Sequence, residues 1–310
     1  DDVARQRLGN EVSAALRVAA AVEVVGLQAR VQRGRRARRR HAVVARLDRE
    51  DRAQERIARA AVEEVRQRIP SAIGCESIAN CLQDVSLAIL CMPVQHMPAA
   101  AEQIAAATVR PDLLVTDVGS VKGSVVAALE PILSAKGITF IGSHPMAGSH
   151  TTGMANARSD LFQHAACLLT PDEKTPSAAL ERLRTFWASL GCRVLEMSPA
   201  RHDHHVARIS HLPHVMAALT TLAALKKDTS PIPCSAGGFR DTTRVAAGDP
   251  SMWTGILHDN RHEVLAALQD ASTHLRELIE IIESDDLTRL QGLLADAKQL
   301  RDLVPPPAAV

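Results

Sequence analysis

Ser143-His144-Pro145 is the first place in the chain where a side chain stands out for chemistry rather than packing. It lies within Gly142-Ser143-His144-Pro145-Met146-Ala147-Gly148, directly after a strand-like stretch over 138–142. Histidine titrates near neutrality, and at the carboxyl end of a strand it is placed for general acid–base work. A lone histidine is more often structural, but this one shares a predicted crevice edge with a second cluster. That cluster is Thr116-Asp117-Val118-Gly119-Ser120-Val121-Lys122, where another strand ends and a helix begins. In a doubly wound sheet, ligands bind at the carboxyl ends of the strands. Gly119 permits close backbone approach, and Ser120 is placed to present a hydroxyl or to cap the helix, although an ordinary capped turn looks the same.

A third group sits further on: Ser210-His211-Leu212-Pro213-His214, then Gly237-Gly238-Phe239-Arg240-Asp241-Thr242-Thr243-Arg244 and Gly248-Asp249-Pro250-Ser251-Met252-Trp253. Two arginines around an aspartate after a Gly-Gly pair suit bidentate recognition of a carboxylate, since the guanidinium is a planar fork. A surface salt-bridge network is the plainer reading. His202, His204 and His205 surround Asp203 and have the composition of a metal site. No cysteine or further carboxylate completes a set, so a polar helix start is expected there and no metal.

The elements that must position these side chains alternate between strand and helix after residue 70. Residues 85–91 form a continuous apolar run stopped by Pro93, which suits a parallel strand buried on both faces. A helix over 96–107, a strand over 113–117, a helix over 121–135 and a strand over 138–142 follow, then strands at 166–170 and 193–196 around a helix over 177–190. From Pro199 onward only helical periodicity remains, over 200–226, 250–283 and 285–301, ending at Pro305-Pro306-Pro307. The pattern predicts an α/β domain with an open, mostly parallel sheet over 1–198, followed by an all-helical domain over 199–310 whose apolar helices suit dimerisation.

Composition narrows the function classes. The chain has 310 residues, and Lys+Arg of 36 against Asp+Glu of 35 leaves a net charge of +1. No global field for nucleic acid or an anionic membrane exists, and the Arg-rich run 33–40 reads as an exposed stretch. The longest apolar stretch, Val12 to Val25, is interrupted by Arg17 and Glu23, so no transmembrane helix is expected. Six scattered cysteines without a C-x-x-C pair read as reduced, mostly buried thiols of a cytoplasmic protein. Residues 49–68 look like a charged, solvated helix. Lysine is absent before Lys122 and aromatic residues before Phe140, while arginine is plentiful.

Together, D-V-G-S-V-K (117–122), G-S-H-P-M-A-G (142–148), S-H-L-P-H (210–214) and G-F-R-D-T-T-R…G-D-P-S-M-W (238–253) resemble the prephenate/arogenate dehydrogenase family of tyrosine biosynthesis. The likeness covers about Ser71 to Arg301. It implies a Rossmann-like dinucleotide-binding domain, a helical substrate and dimerisation domain, and oxidative decarboxylation of prephenate to 4-hydroxyphenylpyruvate with hydride transfer to NAD. Arogenate as substrate and NADP as cofactor are the near alternatives. The resemblance makes His144 the base for the substrate hydroxyl, with Ser120 orienting it or the nicotinamide end. Arg244 would grip a substrate carboxylate, with His214, Gly237, Asp241 and Trp253 completing the pocket, Trp253 from the partner subunit of a homodimer. Pro93, Val94, Asp117 and Gly119, at the carboxyl ends of two strands, are the cofactor candidates.

Two departures stand against the pattern. The G-x-G-x-x-G turn that cradles a pyrophosphate is not found, since before Gly74 the only glycines are Gly9, Gly26 and Gly34. A catalytically impaired member with a defective nucleotide-binding start, frame-shifted over residues 1 to about 65, is therefore an alternative expectation. His150 also stands where many members carry an acidic residue, which alters any ionic gate built from that carboxylate.

Overall fold

A computed structural model of the chain describes residues 24–27, 41–44, 67, 72–75, 77–82, 85–147 and 160–305. The Arg-rich run, most of the 49–68 stretch and His150 lie outside these residues.

Among the described residues, nine strands form two sheets. The larger contains β1 (Val24–Leu27), β2 (His41–Val44), β3 (Ala72–Cys75), β4 (Leu87–Leu90), β5 (Leu114–Asp117) and β6 (Thr139–Phe140), in spatial order β3-β2-β1-β4-β5-β6. The pairs β2–β3, β4–β5 and β5–β6 are parallel, whereas β1 runs antiparallel to both of its neighbours. The run over 85–91 behaves as its composition requires: every residue of β4 and β5 is buried. Helices α1 (Ile78–Leu82), α2 (Met97–Ala106) and α3 (Gly123–Ser134) carry Leu82, Met97, Ile104, Leu129 and Leu133 into one core with Leu90, Val115 and Phe140. Each such aliphatic side chain, fully withdrawn from water, contributes about 1.5–3 kcal/mol.

The expected strand over 138–142 is divided. Only Thr139 and Phe140 pair with β5, and β7 (Gly142–Pro145) opens a second sheet with β8 (Ala166–Thr170) and β9 (Arg193–Glu196). His144 therefore lies inside a strand, opposite Leu168, and not in a loop beyond a strand's carboxyl end. Helix α4 (Ser177–Ser189) connects β8 to β9 and buries Trp187 completely.

From Pro199 the described chain is helical. Helix α5 (Pro199–Val206) continues through a π turn (Ala207–His211) into α6 (Leu212–Leu225). Pro213 explains the wide turn, because its ring would collide with the carbonyl four residues earlier in a regular helix. Then follow α7 (Gly237–Thr243), a 3₁₀ turn (Arg244–Ala247), α8 (Pro250–Asp259), α9 (Arg261–Glu283) and α10 (Leu287–Asp302). The single helix expected over 250–283 breaks at Asn260, whose buried amide turns inward. No helix among the described residues is long and apolar enough to cross a membrane. Cys81, Cys91, Cys167 and Cys192 are buried, Cys234 is exposed, and no disulfide links the described residues.

Candidate active site

The site is built where β5 and β7 meet the first turn of α5. Ser143 fixes β7: its backbone N–H donates to Asp117 Oδ1 at 3.2 Å, and its hydroxyl bonds Thr116 Oγ1 and accepts from Trp187 Nε1 at 3.2 Å. The next residue, His144, is 7% exposed. Its Nδ1 lies 2.9 Å from Nε2 of His202, and Nδ1 of His202 lies 2.8 Å from Oδ1 of Asp203. Asp203 also accepts the backbone N–H groups of Lys122 and Gly123, each at 2.8 Å. A carboxylate is well placed there, because the first N–H groups of a helix lack intrahelical partners and carry partial positive charge.

These contacts correct two expectations. His202 and Asp203 are buried parts of a line running to His144, not merely a polar helix start. Ser120 is half-buried and does not cap α3; Asp203 does so from the helical region. The signal for His202 is present in the sequence, since it sits four residues before buried Val206 and so shares the inward face of α5. Among the described residues no group of three or more histidines, cysteines and carboxylates could hold a metal ion.

Burial sets the electrostatics. Withdrawal from water, with the charges of His202, Lys122 and His211, holds the His144 imidazole well below its ordinary pKa. His202 is lowered by burial too, against the opposing pull of Asp203. Burial alone would raise Asp203, but His202 and the N–H groups of Lys122 and Gly123 bring it below the usual carboxylate range. Near neutral pH the site thus holds uncharged imidazoles beside an ionised carboxylate.

On the proposed cofactor side, Asp117 is fully buried, ion-paired with equally buried Lys122, and accepts the Gly119 N–H at 2.8 Å. Its carboxylate shapes the loop. A Cβ at Gly119 would stand 2.9 Å from Asp117 Oδ2 and 3.0 Å from Val94 Cγ1, so the glycine serves the close approach of those side chains. Pro93 is exposed, and Val94 and Ser120 are half-buried.

On the helical side, the His214 ring stacks on Trp253 with centroids 3.5 Å apart and planes 10° from parallel. A Cβ at Gly248 would collide with the Trp253 indole 2.5 Å away, so only glycine lets this pair close. His211 meets the same indole edge-on at 6.1 Å. Its Nδ1 lies 3.2 Å from the Asn260 side-chain nitrogen, which also donates to the Asp203 carbonyl at 2.9 Å. His211 Nε2 and His214 Nδ1 are buried with no hydrogen-bond partner among the described residues. Gly237, Asp241 and Arg244 are exposed on α7 and the 3₁₀ turn, both of which pack against α6. Arg240, Asp241 and Arg244 form no ion pair among the described residues, contrary to a surface salt-bridge network. No hydrogen bond or ring contact joins Arg244 directly to His144; the structure brings His144 to His202 and His214 to Trp253, with His211 between.

Comparison with known proteins follows the same division. Residues 34–196 match the family model "Prephenate dehydrogenase, nucleotide-binding domain", and residues 198–296 match "Prephenate dehydrogenase, dimerization domain". The first match begins upstream of Ser71 and takes in part of the Arg-rich segment. The chain is 34% identical over 233 residues to prephenate dehydrogenase of Bacillus subtilis, covering 74% of this chain and 62% of that protein. It is 37% identical over 215 residues to cyclohexadienyl dehydrogenase of Zymomonas mobilis, covering 68% and 72%. Among solved structures, prephenate dehydrogenase from A. aeolicus in complex with hydroxyphenyl propionate and NAD+ aligns with a TM-score of 0.71 at 28% identity, covering 80% of this chain and 86% of that one. Synechocystis arogenate dehydrogenase aligns with a TM-score of 0.67 at 33% identity, covering 78% and 86%.

Proposed function

This chain belongs to the prephenate dehydrogenase family, and from that premise we propose that it converts prephenate to 4-hydroxyphenylpyruvate with NAD as hydride acceptor. The observation that carries the reading is a buried His144, its pKa lowered by burial, in hydrogen-bond contact with His202 at the edge where β5 and β7 meet. Prephenate bears a ring hydroxyl, a ring carboxylate and a pyruvyl side chain. NAD supplies the nicotinamide that takes hydride from the carbon carrying the hydroxyl. His144 accepts the hydroxyl proton as the carbonyl forms, and loss of CO2 makes the ring aromatic. Aromatisation provides the driving force, so the protein's task is alignment and proton removal.

Pro93, Val94, Gly119 and Ser120 form the wall for the nicotinamide end, with Asp117 holding their loop in shape. Arg244 takes a substrate carboxylate, for which its unpaired guanidinium is suited. His214 and Trp253 form one side of the pocket, with Gly237 and Asp241 at its rim. Exposed Leu222 on α6, Leu275, Ile279 and Ile282 on α9, and Leu294 on α10 support a homodimer through the helical region. The scattered thiols support a cytoplasmic setting.

A second reading, oxidation of arogenate, is favoured by the 33% identity to the Synechocystis enzyme. Arogenate presents the same hydroxyl to His144 and differs only in its side chain. The test is the appearance of reduced nicotinamide when the purified chain meets NAD with prephenate or arogenate, alongside calorimetric NAD binding. Turnover of prephenate in preference to arogenate supports the proposal. Preference for arogenate moves the chain to the second reading, and NAD binding without turnover of either removes the dehydrogenase reading.

A further inference from the structure

We propose that His202 is a positioning residue for His144: with Asp203 behind it, it fixes the proton of His144 on Nδ1 and leaves the basic lone pair on Nε2. The inference deepens the dehydrogenase reading and rests on it for its catalytic meaning, while the arrangement of protons can be measured without substrate.

The argument runs inward from the carboxylate. Asp203 Oδ1, ionised and already accepting the Lys122 N–H, can only accept, so His202 Nδ1 must donate across their 2.8 Å contact. A neutral His202 then has its lone pair on Nε2. His144 Nδ1, 2.9 Å from that atom, must be the donor in turn. A neutral imidazole carries one proton, so the free lone pair of His144 is on Nε2, the nitrogen left to face a substrate hydroxyl. Each assignment forces the next, and reversing any one sets two lone pairs or two protons against each other. His202 is fully buried, and the Asn260 amide holds the Asp203 backbone at 2.9 Å, so the line has little freedom to rearrange.

The proton balance follows the same path. When the substrate O–H bond breaks, a new N–H bond forms on His144 Nε2 and the ring becomes cationic. That charge is stabilised by the Nδ1–H···Nε2 bond to His202, or passes along it if the Nδ1 proton moves to His202. The positive charge then lies against Asp203. No group beyond these three is required to take up the proton.

The experiment is ¹⁵N NMR of the histidine rings in the full chain at neutral pH, with the His144 signals assigned by their loss in His144→Asn. The expected wild-type result is a protonated Nδ1 and an unprotonated Nε2 for His144. A protonated Nε2 overturns the proposal whatever the activity of the enzyme. Where His202→Leu folds, its kcat should fall about 100-fold or more with KM nearly unchanged, since general base contributions run from about 10² to 10⁴. His202→Gln, whose amide oxygen can still accept from His144, should recover at least about tenfold of that loss. A folded His202→Leu variant with kcat within about threefold of wild type also overturns it. Failure of the chain to oxidise prephenate or arogenate would remove the dehydrogenase reading and leave the NMR result standing.

Discussion

Acid should weaken this protein through His211 in particular, by an amount that can be worked out. His211 is 1% exposed, and its pKa is lowered by burial, with the neighbouring His202 and His214 adding to the effect and Asp203 opposing it, to about 4 from 6.5. The folded chain therefore refuses a proton that the unfolded chain accepts as pH drops below 6.5. Stability is fully present above that value, declines by about 1.4 kcal/mol per pH unit, and levels off near the folded pKa. At pH 5 the loss from His211 alone is about 2 kcal/mol, and near pH 4 about 3 kcal/mol. His211→Gln removes the titrating group. Its own structural cost is a constant offset that cancels when stabilities at two pH values are subtracted. Urea denaturation at pH 7.5 and pH 5 should show wild type losing about 2 kcal/mol more than the variant across that interval. His144, His202 and His214 are shifted in the same direction and steepen both curves, with burial as the first cause in each. Parallel pH dependences, agreeing within about 0.5 kcal/mol, would refute the account of His211 as a buried neutral ring.

His144→Asn should lower kcat by about 10² to 10⁴ while the substrate still binds, read from steady-state kinetics and calorimetry; near-normal turnover would remove His144 as the base. Arg244→Ala should raise KM strongly with a smaller effect on kcat, and an unchanged KM would take this guanidinium out of the pocket. Gly119→Ala forces a methyl between Asp117 and Val94 and should cost about 1–3 kcal/mol of stability together with weaker NAD binding; a variant as stable as wild type would show that the loop relaxes freely.

Much of the scaffold can be read directly from the residues. The buried parallel strands at 87–90 and 114–117 announce themselves as short apolar runs, and the helices after Pro199 as repeating apolar faces. His144 is legible because Ser and Pro flank it at the end of an apolar stretch. The partners of His144 are harder to see. His202 and Asp203 are polar residues in a polar segment, and only the inward phase of α5, fixed by Val206, turns them toward the core. Asn260 is hidden for a related reason: a good helix pattern runs through it, and the break is imposed by hydrogen bonds to Asp203 and His211, distant in sequence. The switch of sheets after Phe140 is equally non-local, because Gly142–Pro145 is strand-like in either sheet and β8 decides where it pairs. The Gly237–Arg244 segment shows its arginines plainly, yet nothing within it states which ring or carboxylate they will face.

The position of Asp203 ties construction to chemistry. Its side chain closes the start of a helix lying on the larger sheet, while its backbone belongs to the helical half of the chain. A molecule whose C-terminal half has not yet docked lacks both that closure and an aimed imidazole. On the proposed role of His144, proton removal would depend on the docked helical half as well as on the strand that carries the imidazole.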